Sequence, residues 1–531
     1  MDSYSIPKIL ASASVLLCMA SAAPSSSPLY NSVIKTKYGE VQGYPAFSSA
    51  PTGNLTNWKD ITVWKGIPFA ADTGGDNRFR APQMASSWNT TLDAKSFGNV
   101  CPSATSDTNL TISEDCLNLN IWSPAKSTGA KLPVVMWSYP AESTAADALF
   151  DGGGMADKGI VFVNYNYRTG SFGWLGHPEL NEEFYKVTGS NSSGNWGMLD
   201  QFAAVKWIHE NIADFGGNPD HITVMGQSAG SAATYHILNS PVTKGLIKGA
   251  IIESGVRDPH DPLCTSLAES YKTQSYVMAQ GLNYTADKNV STIAELRKLP
   301  MADLEDNVLD GWSFGATLDY YAMPAKYAET LKEGAANNVP VLTGNTKDES
   351  GAEYNTNITV AEYLVDLEDT YTTGNWSQRF LELYPADNSV RADGAYNSMF
   401  TDRSKVGTWM WAQLWATSST KNVFSYFWDH APPGQDQGAY HESEINYVLN
   451  NLYATDKPWN AKDYEIAAKM NGYWSNFIKT GDPNGDGLVH WSATNDNELV
   501  HHVGNGWGPI PVASEAKVQL FKEWFASLRT Y

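Results

Sequence analysis

A chain of 531 residues is long enough to bury a large core, and a formal charge of −21 with no basic block excludes a nucleic-acid or anionic-membrane binder. No repeat or low-complexity tract stands out, and no stretch is long and apolar enough to span a membrane.

The N-terminus has the three parts of a secretory signal. Lys8 precedes the apolar run Ile9 to Met19, and Ala20-Ser21-Ala22 is an A-x-A cleavage site. The predicted signal peptide is residues 1–22, and the mature chain is expected outside the cell. Export permits disulfides. Cys18 leaves with the signal, so Cys101, Cys116 and Cys264 remain, which is one pair and one left over. Glycosylation sequons stand at Asn54, Asn89, Asn109, Asn191, Asn283, Asn289, Asn357 and Asn375.

In chain order, Val33 to Phe47 reads as a strand and turn around Gly39 and Gly43, and Val63 to Ala70 as a short strand. Glu114 to Trp122 alternates and then becomes strand-like. Leu132 to Trp137 and Gly159 to Arg168 are apolar enough for buried strands. Asn195 opens a helix in which Ala203, Ala204, Trp207, Ile208 and Ile212 recur at helical spacing. It closes at Phe215-Gly216-Gly217-Asn218-Pro219. Strands alternating with helices imply a mostly parallel sheet covered on both faces, with functional groups at the carboxyl ends of the strands.

The most informative stretch follows. Ile222 to Met225 is apolar, Gly226-Gln227-Ser228-Ala229-Gly230 comes next, and Ser231 to Leu238 suits a helix. Strand, G-x-S-x-G, helix is the setting of a nucleophile elbow. The turn is so tight that the flanking residues must be small. Gly226 and Gly230 let strand and helix backbones approach, and the Ser228 hydroxyl is held out at the strand's end.

These motifs resemble the type-B carboxylesterase/lipase family of the α/β-hydrolase fold, which contains cholinesterases and fungal secreted lipases. The resemblance rests on GIPFA at 66–70, RFRAP at 78–82, EDCLNLNIW at 114–122, NYR at 166–168, GNWGMLDQ at 194–201 and NIADFGGNPDHITVMGQSAG at 211–230. IIESG at 251–255, KDESG at 347–351, GAYHESEINYV at 438–448 and GDPN at 481–484 follow in the family's order. It implies a single α/β-hydrolase domain over 23–531, with a large, mostly parallel central sheet and helices on both faces.

A serine hydroxyl needs a general base, and the base an orienting carboxylate, in the chain order Ser, acid, His. His430, His441, His490, His501 and His502 all lie late enough. The resemblance selects His441, because GAYHESEI matches the family's histidine loop. It places the acid on Glu349, with Asp348 as the alternative, after the strand-like run Val339 to Gly344. Ser228 is then the nucleophile, His441 the base and Glu349 the group that fixes the imidazole.

One departure matters. The Ala229 N–H is the first expected oxyanion donor. The family draws the others from a glycine run after the strand at 134–137, where this chain reads Trp137-Ser138-Tyr139-Pro140-Ala141-Glu142-Ser143. Ala141 and Glu142 fall at the donor positions. Pro140 has no N–H, and non-glycine residues do not freely adopt the turn. Gly152-Gly153-Gly154 fits a later part of the loop.

The resemblance also pairs Cys101 with Cys116. In the family's lipases the enclosed loop is longer and carries a lid; its shortness here implies an esterase of soluble esters. The family's second disulfide is missing, leaving Cys264 unpaired or intermolecular. Asp482 to Gly487 looks like the start of a calcium loop, but its twelfth position is Ala493, not Glu. No metal or other cofactor is therefore expected. The expected function is a secreted serine carboxylester hydrolase acting through an acyl-enzyme on small or medium esters. The missing glycines favour, as the alternative, diversion of the same triad to transacylation, cyclisation or elimination. A non-catalytic binding protein like the family's adhesion members is the third reading, against which the complete Ser-Glu-His set argues.

Overall fold

The computed structural model describes residue 1 and residues 27–530, except 54, 103–109, 264–270, 306–311, 350, 353, 373 and the side chain at 496. The predicted signal peptide, Cys264, Asn54 and Asn109 lie outside the described residues, apart from Met1. Eleven strands build one sheet. They are β1 (Tyr44–Pro45), β2 (Thr62–Pro68), β3 (Asn118–Ser123), β4 (Leu132–Ser138), β5 (Val161–Tyr165), β6 (Gly217–Gln227), β7 (Gly249–Glu253), β8 (Val341–Thr346), β9 (Val423–Trp428), β10 (Leu499–Val503) and β11 (Gly508–Pro511). Their order is β11-β10-β9-β8-β7-β6-β4-β5-β3-β2-β1. From β10 to β5 all neighbours are parallel. Both edges are antiparallel.

The central strands β5, β7, β8 and β9 are buried at every residue. Covered on two faces, they are buried continuously and not in alternation, even where β8 carries Thr343, Asn345 and Thr346. The predicted segment from Val33 to Phe47 is divided. Val33–Lys35 and Glu40–Gln42 form a small separate sheet with Leu92–Asp93, and only Tyr44–Pro45 joins the main one.

Five helices concern the site: α1 (Trp196–Asn211), α2 (Ala229–Asn239), α3 (Ser389–Ser418), α4 (Ile445–Leu449) and α5 (Ala461–Thr480). α1 is buried at Ala204, Trp207 and Ile208, as the spacing predicts. Gly216, at φ 83°, turns the chain out of the 3-10 turn that follows α1 and into β6. A second apolar cluster, unforeseen in the sequence, packs Tyr371, Phe380, Phe400, Phe521 and Trp524.

Several motifs prove to be structural. Arg168 grips Asp200 through Nε and Nη2 at 2.8 and 2.7 Å, and both are buried. Arg78 reaches Glu114 at 2.6 Å and also donates to the carbonyls of Arg297 and Leu299 at 3.0 and 2.8 Å. Cys101 and Cys116 form a disulfide. The six described sequon asparagines, Asn89, Asn191, Asn283, Asn289, Asn357 and Asn375, are all exposed. Among the described residues no helix is long and apolar enough to cross a membrane.

The elbow glycines are required by contact. A Cβ on Gly230 would lie 1.9 Å from the Ser138 carbonyl oxygen, and one on Gly226 2.3 Å from the Gly230 oxygen. Both obstacles are backbone and cannot rotate away. Gly230→Ala is therefore expected to destabilise by about 3 kcal/mol or more. Gly129→Ala, where nothing lies within 4 Å, should change stability by less than about 0.5 kcal/mol. Denaturant unfolding of the two variants checks this; equal midpoints would refute it.

Candidate active site

Ser228 joins β6 to α2 with φ 54° and ψ −119°, a backbone conformation that non-glycine residues rarely hold. Its N–H donates to the Glu253 carbonyl at 3.0 Å, which ties the elbow to β7. Its own carbonyl accepts from Ser231 and Ala232 at 2.9 and 3.2 Å. The nucleophile candidate thus stands at the amino end of α2, where Ser138 of β4 and Glu253 of β7 flank the turn.

The acid and base candidates come from the next strands outward. Glu349 follows β8, and His441 lies between β9 and α4. His441 Nδ1 is 2.6 Å from Glu349 Oε2. The other carboxylate oxygen, Oε1, accepts from the Ser254 hydroxyl and from the Thr346 N–H at 3.0 Å. Burial alone would push the Glu349 acid up. The imidazole of His441 outweighs it, helped by Arg257 and the Ser254 hydroxyl, and holds the carboxyl at about 2. Burial likewise works against a charged His441, and the Glu349 carboxylate again wins, raising the imidazole above its ordinary value.

Asp348 takes a different part. Its N–H donates to the Ala439 carbonyl at 3.1 Å, and its Oδ2 accepts from the Ala439 N–H at 2.6 Å. Oδ1 accepts from Asn397 at 2.7 Å. It fastens the histidine loop to the turn after β8 and leaves His441 to Glu349. Gly438, at φ 69°, makes room for it, since a Cβ there would lie 2.3 Å from Asp348 Oδ2.

Ser228 and His441 are not hydrogen-bonded to each other. The Gln227 amide nitrogen lies 3.4 and 3.3 Å from His441 Nδ1 and Nε2. Such contacts are often long in a site without substrate and close when one binds.

The loop after β4 is held by aromatic rings. Tyr139 stacks on Tyr167 with centroids 4.7 Å apart, and the Tyr167 hydroxyl donates to the Tyr139 carbonyl at 3.2 Å. Ala141 and Glu142 beyond it are exposed, and Glu142 takes a left-handed φ of 60°. Among the described residues nothing accepts their N–H groups or that of Ala229, the first residue of α2. Burial first, and then the Glu142 carboxylate, raises the acid of Glu442, the neighbour of His441. Gly154 is used elsewhere, packing against the carbonyls of Leu449 and Asn450.

Three of the remaining late histidines have other partners, and His490 is exposed. His430 pairs with Asp463 at 2.9 Å, His502 with Asp429 at 2.9 Å, and His501 is buried against Tyr473 and Trp491. Asp482 Oδ1 accepts from the Asn484 N–H at 2.8 Å, closing a turn. Among the described residues no group of three His, Cys, Asp or Glu side chains could hold a metal ion. Sequence reasoning missed Ser254, Glu253, Glu444 and Gln227 as neighbours of the site. Ser254 and Glu253 lie inside IIESG, Glu444 inside the histidine-loop match and Gln227 inside the elbow, so the signal was present without a stated role.

Residues 30–505 match the carboxylesterase family. The para-nitrobenzyl esterase of Bacillus subtilis is 29% identical over 87% of this chain and 92% of its own length. The fumonisin B1 esterase of Sphingopyxis macrogoltabida is 31% identical over 81% of each. A solved PNB esterase superposes with a TM-score of 0.74 at 26% identity, covering 92% of this chain and 99% of its own. A carboxylesterase of Geobacillus stearothermophilus gives 0.73 at 28% identity, with the same coverage. The sheet order, the elbow and these likenesses agree: the chain has the α/β-hydrolase fold and belongs to the carboxylesterase family of serine hydrolases.

Proposed function

We propose that the protein is a secreted carboxylesterase that cleaves small or medium soluble esters through an acyl-enzyme. The observation that carries this is the pair of buried Glu349 and half-buried His441, 2.6 Å apart, beside a serine on a strained elbow. Ser228 Oγ attacks the ester carbonyl while His441 Nε2 takes its proton. The tetrahedral oxyanion is met by N–H groups of Ala229 and of the turn at Ala141 and Glu142. His441 then protonates the leaving alcohol, and water repeats the cycle on the acyl-Ser228 ester. Glu349 keeps Nδ1 protonated and stabilises the imidazolium. The N-terminal signal pattern and the exposed sequons support export. The names of the relatives, a para-nitrobenzyl and a fumonisin B1 esterase, support a soluble ester.

A second reading is favoured by Glu142. A carboxylate on the oxyanion turn opposes the developing oxyanion of every acyl transfer, to water or to another acceptor, so it suits an elimination, which forms no tetrahedral oxyanion, better than fast hydrolysis.

Four outcomes are expected. Ser228→Ala should abolish fluorophosphonate labelling and lower p-nitrophenyl acetate turnover by about 10⁶-fold. A folded wild type that neither labels nor turns over would sink the triad. The base must be neutral, so kcat/KM should fall as pH drops through a value above the ordinary imidazole 6.5. Glu349→Gln should move that acid limb down and cost about 10⁴-fold in kcat. An unmoved limb would remove Glu349 from the pair. Glu142→Gln keeps the backbone N–H and deletes the opposing charge, so hydrolysis should rise by about 10-fold. A fall would mean that the Glu142 carboxylate takes part in the reaction and would promote the second reading.

A further inference from the structure

A cavity of about 860 Å³ lies apart from the catalytic groups. None of Ser228, Glu349, His441, Ala141 and Glu142 lines it. It follows one face of α1, where Trp196, Leu199, Ala203, Lys206, Trp207 and Glu210 recur at helical spacing. The helix Pro178–Thr188 and the segment 77–84 form its sides. Its floor is apolar, with Phe69, Phe79 and Phe202 all buried. Its rim is open: Met84 and Val187 stand there 82% and 85% exposed, an apolar edge left to solvent.

The groove has an apolar end and a charged end. At the first, Phe184 meets Trp196 and Tyr321 edge-on, with centroids 5.6 and 5.2 Å apart. At the other stands Lys206. The two acids that line the groove are already compensated. Glu183 is forked by Arg297 at 2.8 Å and held by Arg80 at 2.9 Å, and these guanidiniums keep its carboxyl at about 2. Glu210 is paired with Lys37. Lys186 and Lys206 also line the groove, and among the described residues neither has a carboxylate partner. Partial burial lowers the Lys206 amine, and only the Glu210 carboxylate, already turned to Lys37, works against that. An incoming carboxylate thus finds a cation to pair with and no unpaired acid to oppose it. Trp196 and Lys206 are ten residues apart on α1. That is about 15 Å of helix, the length of an extended chain of about ten carbons with its carboxylate.

We propose that this groove binds a single-chain carboxylate of about ten carbons, its tail at the Phe184–Trp196–Tyr321 end and its head at Lys206. Lys186 adds a second positive charge. A free molecule fits better than an anionic lipid surface, because the apolar floor is concave and the whole chain carries −21. A flat anionic surface is repelled by that charge, whereas one small anion needs only the two lysines. The acid released from a medium-chain ester is of this class, but binding here does not require Ser228 to react.

Titration calorimetry with decanoate below its micellar concentration should show one site per chain. Decanol has the same tail without the charge, and acetate the head without the tail; each should bind at least about 10-fold more weakly. Decylammonium should also bind more weakly, although the net charge of the chain favours a cation. Lys206→Met should weaken decanoate by about 10-fold, and Lys206→Arg, which keeps the charge, by less than about 3-fold. Ala203→Trp places a ring in the middle of the groove and should abolish binding, with heat unfolding as the check that it is folded. Equal affinity for decanoate and decanol would overturn the proposal, and this comparison stands even if Ala203→Trp fails to fold. Decanoate binding that survives both Lys206→Met and Ala203→Trp but is lost when a fluorophosphonate blocks Ser228 would place the acid at the catalytic serine instead. Sedimentation with phosphatidylglycerol vesicles, without binding of free decanoate, would assign the face to a lipid surface and likewise refute it.

Discussion

The contact between the Ser138 carbonyl and Gly230 is the constraint from which the site follows. It lets the end of β4 and the start of α2 abut with no side chain between them. The elbow must then turn through Ser228 in a conformation that costs free energy, and the Ser228 N–H finds its acceptor on β7. Once the serine is fixed among three strands, the remaining groups have only the outer strands to come from. Glu349 leaves β8 and His441 follows β9. The chain order Ser, Glu, His is thus the order in which the strands lie, moving away from the elbow.

Charge burial divides the acids near the sheet into two kinds. Asp200 is buried with Arg168, and Glu114 is held against Arg78, so each is compensated by a guanidinium that forks over it. Around His441 the compensation is different. Glu349 is kept ionised by the imidazole, a hydroxyl and a backbone N–H. Glu442 and Glu444 lie on the same loop, and Glu253 beneath it has only an indole N–H. Arg257 adds a through-space positive charge that helps to keep Glu349 ionised.

Short-range sterics made the elbow legible in the sequence. A glycine on each side of a serine, between an apolar strand and a small-residue helix, has few other uses. The choice between Glu349 and Asp348 was not legible from the residues, because adjacent side chains point to opposite sides of an extended segment. The bridge of Asp348 to Tyr440 decides which side faces His441, and it joins segments far apart in the chain. Glu253 escaped for the same reason, since its neighbour Tyr426 sits two strands away across Gly344. The helix α3 shows no clean apolar face in sequence and carries Gly394 and Gly407 in its interior. Its partners in the second apolar cluster stabilise it where propensity does not.

The loop at Tyr139 to Glu142 shows how a turn can be imposed from outside. Glycine reaches a left-handed φ at little cost, whereas Glu142 reaches 60° at about 1 kcal/mol. No local preference of Pro140, Ala141 or Glu142 calls for it. The stack of Tyr139 on Tyr167, the hydroxyl of Tyr167 on the Tyr139 carbonyl, and the bond between Ser138 and Tyr165 fix where the loop begins. Thr144 and Ala145, held by Asp147 and Asn166, fix where it ends. Between those anchors the chain has few residues and must turn sharply. Among the described residues nothing accepts the N–H groups of Ala141 and Glu142, and the turn leaves the sheet at the same end as the elbow. The turn thus carries the Glu142 carboxylate where the resemblance leads one to expect glycine, and its sharp path is set by the anchors at its two ends.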